Sequence, residues 1–167
     1  EKKLMEELGD TPDDGNVRVF AGDLRQRLTI ANLVSATIDA YDQVDILVNA
    51  SRQVLPTDPL DVEDGSVDTL LQQNLMTALQ LSQQVARRMI KQAEGQTEGQ
   101  VGSIINLSSI AAQRHQPDMM GYAIASAAVQ QMTRSLALVL AQHRIRVNAI
   151  SFGSVMSASL RAAVAEN

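Results

Sequence analysis

Short apolar runs alternate with long helical patterns along this chain, and that alternation restricts the fold more than any other feature. Residues 44–48 (VDILV) and 103–107 (SIINL) are continuous apolar runs, typical of strands that are covered on both faces. Apolar residues at helical spacing fill residues 29–41, 66–92 and 119–142 around them. The order predicts βαβ units with right-handed crossovers, and therefore an α/β fold with an open, mostly parallel sheet.

Further elements are expected at both ends of the chain. Residues 1–8 form a short amphipathic pattern, followed by a polar turn over 10–16 and an alternating strand pattern over 17–20. Residues 144–150 (RIRVNAI) predict a fourth strand, and residues 155–167 a last helix. The helical pattern over 66–92 is apolar on more than one stripe, which favours burial on the sheet and also against a partner.

Composition excludes several classes of function. The 167 residues carry a formal net charge of -5, which argues against the basic surface that nucleic-acid binding requires. The chain has no cysteine, and its two histidines lie outside any metal-ligand spacing, so we expect no disulfide and no metal site. Neither a membrane span nor a signal peptide is expected, and the interpretation is a soluble, cytoplasmic protein.

In open parallel sheets, ligands bind at the carboxyl ends of the strands, so residues just after each predicted strand are the candidates for a site. Asp23 and Leu24 follow the first strand, where an aspartate can accept from an adenine amino group or simply cap the next helix. Asn49 and Ala50 follow the second, where small residues allow close approach of a ligand, although an ordinary turn is an equal alternative.

The ends of the last two strands offer further polar groups. Ser109 follows the third strand, and Tyr122 stands 13 residues later at the start of a helix. The pair supplies a hydroxyl to polarise a carbonyl and a phenol to transfer a proton, although a Ser-Ser turn and a packed tyrosine ring would give the same pattern. Gly153, Val155 and Ser157 follow the fourth strand, where backbone and hydroxyl groups can bind an amide.

The order and spacing of these elements resemble the short-chain dehydrogenase/reductase family, especially its 3-oxoacyl-carrier-protein reductase type. DILVN over 45–49 resembles the run into the family's Asn-Asn-Ala-Gly motif, and GSIINLSS over 102–109 the strand that ends in the catalytic serine. RIRVNAISFG over 144–153 resembles the final motif, which ends in Pro-Gly. The resemblance covers essentially the whole chain and implies a Rossmann-type fold of three layers, with helices on both faces of the sheet.

The resemblance also assigns roles to single residues. Ser109 would polarise the substrate oxygen, Tyr122 would transfer the proton, and Asn74 would order a relay water. The cofactor, NAD or NADP, would lie along the strand-end residues named above, which are Asp23, Leu24, Asn49, Ala50, Gly153, Val155 and Ser157. The substrate would be a small carbonyl or alcohol, such as a 3-oxoacyl compound, and the chain would form a homodimer or homotetramer through the helices at 66–92 and 119–142.

The chain departs from the family pattern at five positions close to the expected cofactor. Ser126 stands where the family has the lysine of Tyr-x-x-x-Lys, and Phe152 stands in place of the proline of Pro-Gly. The Asn-Asn-Ala-Gly motif becomes Asn49-Ala50-Ser51-Arg52, which changes three more positions. An ordinary tyrosine has a pKa near 10, and a neighbouring ammonium favours its phenolate. Without that lysine, we expect weakened oxidation and a better preserved reduction.

Two hypotheses remain open from the sequence. The first is an NAD(P)-dependent oxidoreductase, for which Arg114 or His115 offers a replacement cation near Tyr122. The second is an inactive member of the family that is kept as a scaffold or partner subunit. The family's first strand, glycine-rich loop and second strand have no counterpart in residues 1–167, nor does its C-terminal segment. We therefore interpret the chain as the central portion of one longer domain.

Overall fold

The computed structural model describes residues 17–114 and 117–155 of the chain. Its long elements are α1 (Arg27–Tyr41), β1 (Ile46–Asn49), α2 (Ser66–Leu70), α3 (Thr77–Gln92), β2 (Gly102–Ser109), α4 (Met120–Leu140) and β3 (Ile145–Phe152). A π-helical turn, Leu71–Met76, joins α2 to α3, and three 3-10 turns lie at Ile110–Ala112, Pro117–Met119 and Ala141–His143. The helices predicted at 29–41, 66–92 and 119–142 and the three later strands are thus confirmed, and their ends lie within two residues of the predicted ones.

The three described strands form a parallel sheet in the order β1-β2-β3. Val48 pairs with Ile105 on one side of β2, and Ile104 pairs with Val147 on the other. This arrangement confirms the Rossmann-like α/β fold. It also brings the carboxyl ends of β1 and β2 together at one edge of the sheet.

One face of the sheet carries the main core. Leu47, Ile104 and Val147 lie in one row across the strands and pack with apolar residues of the helices. Those residues come from α1, α3 and α4, with Ile30, Val85, Met89 and Leu140 among the most buried. Burial of this aliphatic surface is the main favourable term in folding.

The opposite face of the sheet is exposed within the described residues, which corrects the expectation that β1 is covered on both faces. Ile46 is 64% exposed, Val48 51% and Ile150 46%. Side chains alternate between the faces of a strand, and the described helices pack on the other face only. The described residues therefore show two of the three expected layers.

The strand expected at 17–20 is wrong. A strand is stabilised by hydrogen bonds to a neighbouring strand. No described strand pairs with these residues, and Val17 and Phe20 are 46% and 38% exposed. The patterns at 1–8 and 10–16, and the helix predicted at 155–167 apart from its non-helical first residue Val155, lie outside the described residues.

Two amide side chains of the helical segment that contains α2 and α3 bind the backbone before and after β1. The Gln92 Nε2 donates to the Val44 carbonyl at 2.7 Å, and its Oε1 accepts from the Val44 N–H at 3.2 Å. In the π-helical turn, the Asn74 Nδ2 donates to the Gln53 carbonyl at 2.8 Å, and its Oδ1 accepts from the Gln53 N–H at 2.7 Å. We call these two pairs the Val44 clamp and the Gln53 clamp.

Candidate active site

A polar pocket lies at the carboxyl ends of β1 and β2, between the π-helical turn and α4. Four residues singled out from the sequence line it, namely Asn49, Asn74, Tyr122 and Ser126, together with Ser51, Arg52, Ala78, Asn106, Leu107, Ser108 and Val129. These four residues therefore share one pocket at the strand ends, where ligand sites form in open parallel sheets.

Tyr122 lies in the first turn of α4 with its ring buried, at 5% exposure, against Leu70 and Ala125. The preceding Gly121 permits this close packing, because a Cβ there would lie 2.8 Å from the Thr57 Oγ1. The Gly121 N–H donates to that same hydroxyl oxygen at 3.1 Å. The start of α4 is thus tied to the loop that follows β1, which fixes the position of the phenol.

Arg52 donates a hydrogen bond from its Nη1 to the Tyr122 phenol oxygen at 2.9 Å. The hydroxyl hydrogen of Tyr122 is donated to no described residue, so it remains available to a ligand in the pocket. In the sequence, Arg52 stands out only as a departure from the family's glycine. The second departure at Ser126, expected at the same site, is the signal that could have pointed to this contact.

Ser126 lies one helical turn after Tyr122 and is 5% exposed in the pocket wall. Its hydroxyl bonds to no described residue, and it brings no charge to the phenol. Arg114, a proposed replacement cation, is exposed and lies outside the pocket lining. His115 lies outside the described residues.

The two serines that end β2 have different surroundings. The Ser108 Oγ donates to the Ser126 carbonyl at 3.0 Å and accepts from the Gln130 Nε2 at 3.3 Å, so it fastens β2 to α4. The Ser109 Oγ accepts from the Ala111 N–H at 3.1 Å and contacts the Phe152 carbonyl at 3.5 Å. Ser108 lines the pocket of Tyr122, whereas Ser109, the expected catalytic serine, does not.

Asn49 takes part in a chain of buried and partly buried hydrogen bonds in the wall of the pocket. Its Nδ2 donates to the Ser82 Oγ at 2.9 Å and to the Asn106 Oδ1 at 2.8 Å. The Asn106 Nδ2 in turn donates to the Thr133 Oγ1 at 2.9 Å, and Asn106 is fully buried. This chain joins two strands to two helices and uses both amide hydrogens of Asn49. Only its carbonyl oxygen remains for a ligand.

The other candidates for cofactor contact that the structure describes are absent from the lining of this pocket. Asp23 forms a salt bridge with Arg25 at 2.8 Å, and hydrogen bonds from the Arg25 side chain hold the pKa of this carboxyl below its ordinary value. Asp23 does not cap α1, whose N-cap is Gln26. Leu24 packs against the main core. Ala50, Gly153 and Val155 are exposed, and Ser157 lies outside the described residues.

Comparisons with known sequences and structures show the family to which this chain belongs. A family profile described as short chain dehydrogenase matches residues 1–167. The chain belongs to the short-chain dehydrogenase family. The pig protein "Carbonyl reductase (NADPH) 2" is 33% identical to this short-chain dehydrogenase over 123 residues, which are 74% of the chain and 48% of the relative.

A second relative and a solved structure support membership of the same family. The 3-oxoacyl-(acyl-carrier-protein) reductase of Thermotoga maritima is 29% identical over 141 residues, 84% of this chain and 54% of the relative. The crystal structure of a short-chain dehydrogenase/reductase, described as putative, from Burkholderia xenovorans matches with a TM-score of 0.77 and 26% identity over 88% of this chain and 56% of that one. The chain thus spans about half the length of the curated relatives it matches.

Two further observations concern the described residues as a whole. They contain no group of three or more histidine or acidic side chains arranged to hold a metal ion. No helix among them combines the length and the apolar character needed to cross a membrane.

Proposed function

We propose that this short-chain dehydrogenase is an oxidoreductase that interconverts a carbonyl and an alcohol with the help of NAD or NADP. The observation that carries the proposal is the buried phenol of Tyr122, which accepts a hydrogen bond from a cation while its own hydrogen remains free in a polar pocket. Such a group can deliver a proton to a carbonyl oxygen or remove one from an alcohol.

Tyr122 is the proposed proton donor in the reduction. Its O–H bond breaks and a new O–H bond forms at the substrate oxygen. Ser109 is the proposed donor that polarises the same oxygen, since its contact with the Phe152 carbonyl is long at 3.5 Å and easily exchanged for a substrate contact. The Gln53 clamp occupies one donor and one acceptor of the Asn74 amide, which leaves its second N–H for the proposed relay water.

The Ser126 hydroxyl, which has no partner among the described residues, and the Asn49 carbonyl oxygen are proposed to bond to the ribose hydroxyls of a nicotinamide cofactor. A bound cofactor would supply or accept the hydride. Asp23, Leu24, Ala50, Gly153, Val155 and Ser157 are proposed along the remainder of the cofactor, and the pig relative is named as a reductase that uses NADPH. The proposal leaves the choice between NAD and NADP open.

We further propose that the chain is one domain, the central part of the family fold, located in the cytoplasm and assembled as a homodimer or homotetramer through residues 66–92 and 119–142. On α4, Leu138 is 81% exposed, Val139 58% and Ile124 42%. Contact with a second copy would remove this apolar surface from water. The substrate is a small carbonyl or alcohol, with 3-oxoacyl compounds as the first to test.

The test is oxidation of NADH and NADPH by the full-length protein with a panel of 3-oxoacyl thioesters, ketones and ketoses. Binding of each cofactor is measured in parallel from its fluorescence. Turnover with at least one carbonyl compound is expected. Cofactor binding without turnover across the panel would overturn the proposal and favour an inactive scaffold, and absence of both would also remove the cofactor assignment.

A further inference from the structure

The cation that contacts the tyrosine comes from an unexpected segment of the chain. Arg52 lies in the loop after β1, not on the helix that carries Tyr122, and its Nη1 is 2.9 Å from the phenol oxygen. The guanidinium stays protonated over the whole working range of pH, so it is a permanent positive charge at this oxygen. Hydrogen bonds from a charged donor are shorter and stronger than neutral ones, and they favour negative charge on the acceptor.

No other described charge competes with Arg52 for the phenol. Arg52 is the one charged side chain among the described residues that line the pocket. Asp68, Arg114 and Asp118, which belong to segments packed near the ring, are exposed and lie outside that lining. His115 is the remaining titratable side chain in this part of the sequence, and the experiment below includes it.

The loop that carries Arg52 is held in place. Gln53, the next residue, has its N–H and carbonyl bound by the Asn74 side chain in the Gln53 clamp. Asn74 is itself buried, at 9% exposure, in the π-helical turn. Since both polar atoms of the neighbouring peptide are fixed, the backbone of Arg52 has little freedom, and the entropy lost when its guanidinium meets the phenol is reduced.

We propose that Arg52 takes over the charge role that the family gives to the lysine at the position of Ser126. The inference rests on the proposed function. In the reduction, the phenol gives its proton to the carbonyl oxygen while the carbonyl carbon receives hydride from the dihydronicotinamide, and the phenolate that remains accepts the hydrogen bond of Arg52. In the oxidation, Arg52 favours the phenolate that removes the alcohol proton. Arg52 is thus a positioning residue that acts through Tyr122.

A measurement without substrate or cofactor tests the contact itself. In full-length protein labelled with [13Cζ]tyrosine, the signal that Tyr122→Phe removes belongs to Tyr122, and its chemical shift at one fixed pH reports the hydrogen bond to the phenol oxygen. This chemical shift is expected to move in Arg52→Gln, and to move less in Arg52→Lys. Arg114→Gln and His115→Gln are the matched controls and should leave the chemical shift of Tyr122 unchanged.

An unchanged Tyr122 chemical shift in Arg52→Gln would overturn the inference, as would a change of similar size in His115→Gln or Arg114→Gln. Circular dichroism and urea unfolding establish that each variant is folded. Arg52 is exposed and outside the core, so its replacement is not expected to unfold the protein. Because this result needs no turnover, it stands or falls separately from the proposed function.

Kinetics then test the role in the reaction. Arg52→Gln should lower kcat for alcohol oxidation by about 10- to 100-fold, the range expected for one lost charged hydrogen bond. Reduction should fall less, and KM should change little. Ser126→Lys should raise turnover strongly in the Arg52→Gln background but only slightly in the parent, which already has its cation. A large gain from Ser126→Lys in the parent would show that Arg52 does not replace the lysine.

Discussion

The two clamps at the ends of β1 are chemically alike but differ in what they hold. Each pairs a side-chain amide with the N–H and carbonyl of one residue, Gln92 with Val44 before the strand and Asn74 with Gln53 after it. The Val44 clamp secures a segment that packs against the main core. The Gln53 clamp secures the residue next to Arg52, which reaches the phenol of Tyr122.

A single structural device thus holds a segment that packs on the core at one end of β1 and the neighbour of a pocket-lining arginine at the other. At the amino end of β1, the polar groups of the clamp are paired with each other. At the carboxyl end, the Tyr122 hydrogen and the Ser126 hydroxyl have no partner among the described residues. Buried polar groups are normally paired, so unpaired ones that line a pocket are candidates for ligand binding.

Removal of the Tyr122 hydroxyl should give the largest loss of activity. Its effect should be confined to the pocket at the carboxyl end of β1. Tyr122→Phe keeps the packed ring and deletes the proposed proton donor, so kcat/KM should fall by about 10²- to 10⁴-fold. Tyr41→Phe, which changes the only other tyrosine of the chain, is the control and should keep parental kinetics. Substantial residual turnover in Tyr122→Phe would mean that another group supplies the proton.

Replacement of the two serines at the end of β2 should affect two different properties, turnover for Ser109 and stability for Ser108. Ser109→Ala should lower kcat by about 10²-fold, the usual cost of removing one donor to a developing oxyanion. Ser108→Ala should mainly lower the free energy of unfolding, by about 1 kcal/mol, because it breaks the link between β2 and α4. Steady-state kinetics and urea unfolding of both variants decide between these assignments, and a kinetic loss confined to Ser108→Ala would reverse them.

The clamps themselves provide a matched pair of variants. Asn74→Ala and Gln92→Ala each remove two hydrogen bonds to backbone, and each should lower the free energy of unfolding by about 1–3 kcal/mol. Asn74→Ala alone should also reduce turnover per folded molecule, by about tenfold, because the Arg52 loop becomes mobile. Equal kinetic losses in both variants would show that the two ends of β1 do not differ in function.

A small pH effect is expected from Asp64, in the loop that leads from Arg52 to α2. Hydrogen bonds from the Ser66 side chain and from the N–H groups of Ser66 and Asp58 hold the pKa of the Asp64 carboxyl below its ordinary value. A lowered pKa contributes stability above the ordinary value, near 3.9, and this contribution is lost as pH falls through the folded value. The difference in unfolding free energy between the parent and Asp64→Asn should therefore shrink in acid; a difference that is constant with pH would contradict this.

Much of the fold could be predicted because its signals are local. Helical spacing in α1, α3 and α4 and the apolar runs of β2 and β3 depend on neighbours within one turn or one strand. The strand at 17–20 failed because a strand also needs a partner elsewhere in the chain, which no local pattern shows. The prediction that both faces of β1 are covered was wrong for the same reason, because burial of a sheet face depends on elements that pack on it from elsewhere in the chain.

The site could be predicted in part. Strand ends and motif order led to Tyr122, Ser126, Asn49 and Asn74, which line one pocket. The contact between Arg52 and Tyr122 joins residues 70 positions apart and depends on where a long side chain extends. The two hydrogen bonds of Asn74 could not be predicted from the sequence either, because an asparagine looks the same in a sequence whether its amide binds water or backbone.

The π-helical turn at Leu71–Met76 changes the angular phase of the long helix. One extra residue in a turn rotates everything beyond it by about 100° relative to a continuous α-helix. Leu70, before the turn, packs on the Tyr122 ring, while Val85 and Met89, after it, pack in the main core. The effect of a length change therefore depends on where it falls: deletion of one residue within the turn would leave a continuous α-helix whose two halves still face their separate partners, whereas deletion of one residue in the regular turns of α3 would rotate the residues that follow it by about 100° away from the main core.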